Sequence, residues 1–147
     1  MATMSKIEGL EVLFVAGFGP IVGEPAESRA FYRDTLGLPL EAMPHDETYL
    51  HGEGIAGVRH FALWPLANAA QSCFGTTTWP AHVPRPHAWL EFDVADITAA
   101  TKVLQQRGYE LLVADRKEPW GQTVTRLLSP EGLLIGITIT PWLRGGP

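Results

Sequence analysis

The feature that most constrains the fold is that the chain repeats itself. LEVLFVAGFGPIV (10–22) reads as a strand with glycine interruptions, and a helix through ESRAFYRDTLG follows. PLEAM, TYLHGEG and GVRHFALWPL are then three short strand candidates separated by glycines and a charged HDE segment. The second half runs in the same order. HAWLEFDVAD (87–96) is the cleanest strand, ITAATKVLQQRG is a helix, and YELLVADRK, GQTVTRLLS and GLLIGITIT are three strands. The helix-ending glycines Gly37 and Gly108 are 71 residues apart, and Val22 and Val94, which close the first strands, are 72 apart. A small βαβββ unit cannot bury both faces of its sheet alone, so the halves must share one core. The fold class expected is α+β, with two βαβββ modules forming one curved mixed sheet around a cavity. Residues 1–147 form a single domain in this reading, with one pseudo-repeat at about 8–66, a connector at 67–86 and a second pseudo-repeat at about 87–140.

Local signals support these elements. Pro25 and Glu27 suit a helix N-terminus, with Ala30, Phe31, Leu36 and Tyr32 as its apolar side. Asp96 is placed to cap the second helix, and Ser129-Pro130-Glu131-Gly132 is the hairpin turn between the last two strands. On the strand 87–96, Trp89, Glu91 and Asp93 share one face, and Leu90, Phe92 and Val94 the other. The connector, with Pro80, Pro84 and Pro86, is long for a plain loop. NAAQSCF within it reads as a short helix, and the whole segment suits a wall or lid over a cavity.

Composition excludes several classes. Hydrophobic residues are 46% and charged residues 18%, which argues for a folded globular chain. The net charge of -5 and the lack of a Lys/Arg cluster argue against nucleic acid. The single cysteine, Cys73, excludes an intrachain disulfide framework and a Cys-based metal motif, and it reads as a buried thiol. No secretory signal or run of 18 apolar residues is seen, so no membrane span and a cytoplasmic location are expected. GEGIAG (52–57) lacks the lysine and helix of a phosphate loop and reads as a hairpin turn.

Five tryptophans stand out in a chain of this size, and Trp64, Trp79, Trp89 and Trp120 are candidates for lining the cavity. A carboxylate at Glu91 inside such a cavity needs a partner, and Arg126 is the candidate. Glu91 is open to three readings: a structural ion pair, recognition of a ligand amine or hydroxyl, and acid/base catalysis.

AFYRDTLGLPL (30–40), LEFDVAD (90–96) and SPEGLLIGI (129–137), in this order and spacing, resemble the vicinal oxygen chelate superfamily. It includes glyoxalase I, the extradiol dioxygenases, fosfomycin-inactivating enzymes and the metal-free bleomycin resistance proteins. The resemblance covers nearly the whole chain and implies the glyoxalase/bleomycin resistance fold. Metal-using members carry a His on each module's first strand and acidic residues on the closing strands. The corresponding positions in this sequence are Gly17, Trp89 and Gly136, with a fourth near Trp64, and none supplies a ligand. His60, His87 and Glu91 are the best replacement set, but His87 and Glu91 span about 13 Å of extended strand, too far for one ion. His45, His51 and His82 lie in or near loops and read equally well as surface residues.

The leading expectation is therefore a metal-independent protein that binds and sequesters a small flat or amphipathic molecule, with the balance against catalysis. Trp64, Trp79, Trp89, Glu91, Trp120 and Arg126 would bind it, with no metal, cofactor or catalytic residue. The resemblance adds a homodimer. One alternative is a glyoxalase- or dioxygenase-like lyase or isomerase with atypical metal ligands, and another is a structural or interaction protein.

Overall fold

The computed structural model of the chain describes residues 7–144. Its eight strands are β1 (Val12–Val22), β2 (Glu41–Met43), β3 (Asp46–Gly52), β4 (Phe61–Pro65), β5 (Ala88–Val94), β6 (Val113–Lys117), β7 (Thr123–Leu128) and β8 (Leu134–Ile139). They form one mixed, curved sheet in the order β2-β3-β4-β1-β5-β8-β7-β6. β1 and β5 pair antiparallel at the centre. On either side the first strand of each half pairs parallel with the last strand of that half, β1 with β4 and β5 with β8. A parallel pairing between strands of one half needs a crossover, and the helix of each half supplies it.

Helix α1 (Pro25–Arg29) continues into a π-helical segment, Ala30–Thr35. Leu36 donates to the Phe31 carbonyl five residues back. The wider turn changes which side chains face inward. Tyr32 packs against Phe61, and Leu38 reaches the cluster of Val22, Leu40, Leu50 and Leu63. Phe31 and Leu36, expected on the apolar side, are instead exposed. Helix α2 (Leu66–Phe74) occupies the start of the connector, and α3 (Ile97–Gln106) follows β5. The Asp96 side chain accepts from the Ala99 amide 3.0 Å away and starts α3, and Gly108, at φ +86°, ends it.

Two of the apolar clusters position the site. Ile97, Ala100 and Leu104 of α3 pack on Val94, Leu127 and Ile137 and anchor the second half of the sheet. Ala69, Ala70 and Cys73 of α2 pack with Trp64, Trp79, Trp89 and Leu134. α2 thus fills one end of the sheet's inner face, and the rest of that face stays open as a cavity. No helix among the described residues is long and apolar enough to cross a membrane.

Candidate active site

The cavity has a volume of about 900 Å³, in the range of small-molecule sites. Its floor is the inner face of β1, β4, β5 and β7, and α2, the β6–β7 turn and the segment after β8 form its rim.

At the floor, Gly136 is the register partner of Glu91 on one side and of Arg126 on the other. The two outer strands are about 9.6 Å apart, twice the strand spacing, so long side chains can meet only above the residue between them. They do: Arg126 donates to Glu91 at 3.0 Å, across Gly136. A Cβ at position 136 would lie 2.7 Å from Cγ of Glu91. The absent side chain makes room for an ion pair between its neighbours. Arg126 is only 1% exposed, and its guanidinium lies 4.8 Å from the Trp64 ring centre. Gln122 donates to the other Glu91 oxygen at 2.9 Å and also to Thr138, so the carboxylate is held at both oxygens.

The glycine at position 17 has a related origin. A Cβ there would clash with the His60 backbone carbonyl and meet the tip of the Trp89 ring at 3.0 Å, and one on Gly19 would clash with the Ala62 backbone carbonyl and meet Trp89 Nε1 at 2.9 Å. The two glycines let the Trp89 indole lie against β1, where its N–H donates to the Ala62 carbonyl at 3.1 Å. Trp64 meets Trp89 edge-on.

A second polar group lies on the first-half wall. In the β3–β4 hairpin, His51 pairs with Ala62 and Gly52 with Phe61, and the loop 53–60 folds back over this end. His51, Glu53 and His60 therefore converge, with one donor atom of each within 4.8 Å of the others. His60 Nδ1 is 2.7 Å and His51 Nδ1 3.3 Å from the same Glu53 oxygen. Burial works against ionisation of Glu53, but hydrogen bonding and charge from His60 and His51 outweigh it and hold its carboxyl below the ordinary value. Tyr49 Oη lies 2.9 Å from His60 Nε2, leaving Nδ1 turned toward Glu53. Burial raises the Tyr49 phenol, and the charges of Glu91 and then Glu53 raise it further against Arg126, so the hydroxyl keeps its proton. Tyr49, on β3, lines the same cavity as Glu91 and Arg126.

Two imidazoles and a carboxylate suit a divalent transition metal, and they leave coordination positions open. Donors on one ion with bonds of about 2.0–2.2 Å lie at most about 4.4 Å apart, so a small closure of side chains brings these three into range.

Of the residues expected at the site, Trp64, Trp89, Glu91, Trp120 and Arg126 line the cavity. Trp79 does not; it packs edge-on against Phe74, donates to the Val83 carbonyl at 3.1 Å and sits in the core behind α2. His87 is also absent from the lining. Sequence reasoning missed His51, Glu53, Tyr49, Gln122 and Trp142. The spacing His51-x-Glu53 with His60 seven residues on was visible, but the loop geometry that folds them together was not.

A sequence profile described as the glyoxalase/bleomycin resistance protein/dioxygenase superfamily matches residues 18–137. The chain belongs to this superfamily. No functionally curated protein matches it. Among solved structures, a superfamily member from Vibrio splendidus 12B01 is 16% identical, with 88% of this chain and 97% of that one covered and a TM-score of 0.58. A Streptomyces coelicolor methylmalonyl-CoA epimerase variant in complex with 2-nitronate-propionyl-CoA is 15% identical, covering 89% and 96%, with a TM-score of 0.54. A Legionella pneumophila structure described as an NAD-dependent benzaldehyde dehydrogenase is 16% identical, covering 83% and 96%, also at 0.54. These likenesses establish the fold.

Two expectations need correction for this superfamily member. Metal ligands are not lost from the chain: although Gly17, Trp89 and Gly136 supply none, His51, Glu53 and His60 form a candidate metal triad elsewhere on the cavity wall. His51 is not a surface loop residue but the penultimate residue of β3. The same triad overturns the expectation of metal-independent sequestration. That expectation counted ligands by position along the strands and did not count a hairpin that places three donors together.

Proposed function

We propose that this protein is an enzyme, a lyase or isomerase that uses a divalent metal held by His51, Glu53 and His60. The observation carrying this reading is the convergence of those three side chains on the wall of a cavity also lined by Trp64, Trp89, Trp120 and Trp142. A divalent ion held there would polarise an oxygen of the substrate. Glu91 is the proton-handling group. Arg126 and Gln122 fix its two oxygens, so it takes a proton from the bound molecule and returns it from a defined position. Tyr49, protonated and lining the same cavity, orients His60 and offers a hydroxyl to the substrate. Trp64 and Trp89 exclude water from the floor, which strengthens each of these interactions. The methylmalonyl-CoA epimerases among the structural neighbours support an isomerase assignment by analogy of fold.

The test is metal analysis of untagged protein, followed by calorimetric titration with Zn²⁺, Mn²⁺, Ni²⁺ and anaerobic Fe²⁺. One ion per chain is expected, with binding lost in His60→Ala and Glu53→Ala. Failure of the native protein to bind any of the four would end this reading.

We also propose a cytoplasmic homodimer. Val12, Leu13, Val15 and Phe18 of β1, together with Phe31 and Leu36, expose large apolar side chains, more than an isolated protomer gains from leaving in water. Light scattering of native protein and Phe18→Asp measures this: a native monomer at micromolar concentration contradicts it.

A further inference from the structure

We propose that the cavity mouth is a binding subsite for a planar aromatic group, made by Trp120 and Trp142, and that the substrate is a planar aromatic molecule with an oxygen-bearing polar end directed inward. This rests on the proposed function only in placing the reacting end at the hairpin and Glu91.

Two tryptophans line the cavity while remaining 51% and 53% exposed, Trp120 and Trp142 respectively. Leaving two indoles half in water forgoes apolar burial that most tryptophans achieve. Trp120 is held by a bond from its indole N–H, and Trp142 by polar contacts of the segment around it. Trp120 sits in the turn between β6 and β7, beside Gly121 at φ +98°. Its indole N–H donates to Gln122 at 2.8 Å, and Gln122 is tied in turn to Glu91 and Thr138. The ring edge is thereby fixed and its faces are free. Trp142 belongs to the short 3-10 turn Pro141–Leu143. Arg59 donates to the Leu143 carbonyl at 3.1 Å, and Arg144 binds the fully buried Asp93 carboxylate at 2.7 Å and the Val94 carbonyl. Asp93 also accepts from the Thr140 amide at 3.0 Å, so the segment is clamped from both ends. Neither indole stacks on another ring among the described residues.

Half-exposed flat faces from two separate elements on one cavity lining suit a flat guest, which loses little freedom in stacking on them. The same cavity carries the groups that take oxygen: the partly exposed candidate metal triad on its wall, the Tyr49 hydroxyl and, at the floor, the guanidinium of Arg126, whose Nε has no partner among the described residues. The aromatic rim therefore stands beside the triad, joined to it through the Arg59–Leu143 bond, and above the Glu91–Arg126 pair at the floor.

The probes are 2-naphthoate and its saturated counterpart decahydro-2-naphthoate, titrated calorimetrically against the full-length protein with and without added Zn²⁺. Naphthoate should bind at least tenfold more tightly than the saturated acid. Trp120→Ala and Trp142→Ala should each weaken naphthoate at least fivefold and leave the saturated acid within twofold, while Trp120→Phe should retain most of the affinity. Equal affinity for the two acids, or naphthoate binding unmoved by both alanine variants, overturns the proposal. Because the comparison is also run without metal, loss of Zn²⁺ binding alone would count against the metal reading and leave this one standing.

Discussion

Gly136→Ala tests the central geometry of the floor. The new methyl would sit 2.7 Å from Cγ, 3.2 Å from Cδ and 3.3 Å from Oε2 of Glu91. Ordinary carbon contacts are about 3.5–4.0 Å, so the Glu91 side chain must move by about 1 Å. Its bonds to Arg126 and Gln122, at 3.0 and 2.9 Å, would then stretch beyond hydrogen-bonding range. A hydrogen bond to a charged group contributes about 1.5–3 kcal/mol, and overpacking costs about 1–3 kcal/mol. Partial relaxation leaves a net loss of about 2–4 kcal/mol, or a fall in Tm on the order of 6–15 °C for a domain of this size. Urea unfolding followed by tryptophan fluorescence measures it. The control is the same substitution in a Glu91→Ala/Arg126→Met background, where the obstructing side chain and its buried partner are both gone. There Gly136→Ala should cost less than about 0.5 kcal/mol, a coupling of roughly 2 kcal/mol or more. An equal cost in both backgrounds would refute the view that position 136 is empty to accommodate the ion pair, and a native-like single variant would refute the clash itself.

Arg126→Ala, which leaves Glu91 without its partner on the cavity floor, should destabilise by about 3–5 kcal/mol in the same unfolding assay, whereas Glu91→Ala/Arg126→Met should cost markedly less. Tyr49→Phe should weaken metal binding about 10–100-fold by calorimetry, because His60 loses the group that orients its ring. Cys73 should resist Ellman's reagent at pH 8 until the protein unfolds, since burial, opposed by Arg126 and Arg116, pushes its thiol up to about 11. Burial opposes ionisation of Asp46, but hydrogen bonds from Thr48 and Asn68 and the charge of His45 hold its carboxyl below the ordinary 3.8. A depressed folded-state value adds stability above the unfolded value that is lost as pH falls through the folded one. The stability gap between native protein and Asp46→Ala should therefore be constant near pH 6 and narrow below pH 4, and a gap that widens on acidification would contradict this.

The parts of this protein legible in its sequence are those governed by local periodicity and by pairs along single strands. The alternation in HAWLEFDVAD brings Trp89 and Glu91 onto the cavity face, and the need of a buried carboxylate for a cation points to Arg126. The order of elements leads to the eight-stranded sheet for the same reason. The illegible parts depend on what crosses between strands or on how a loop folds back. No periodicity in AFYRDT announces the extra residue of a π-turn, which moves Phe31 and Leu36 to the surface. Nor does the spacing of His51, Glu53 and His60 reveal a ligand set until the loop between them closes over β3.

The glycines show why counting positions misled. Gly17 lacks a side chain because the His60 carbonyl and Trp89 occupy its space, and Gly136 because Glu91 does, so each departure is set by a neighbouring segment. A carboxylate from β5, one strand away, lies over the vacated glycine and pairs with Arg126. A donor can cross to an adjacent strand whenever a glycine makes way, because strands are only about 4.8 Å apart and a Glu or Arg side chain is longer than that. For a chain built on this sheet, the residues paired with each glycine in register therefore say more about the site's chemistry than the glycine does.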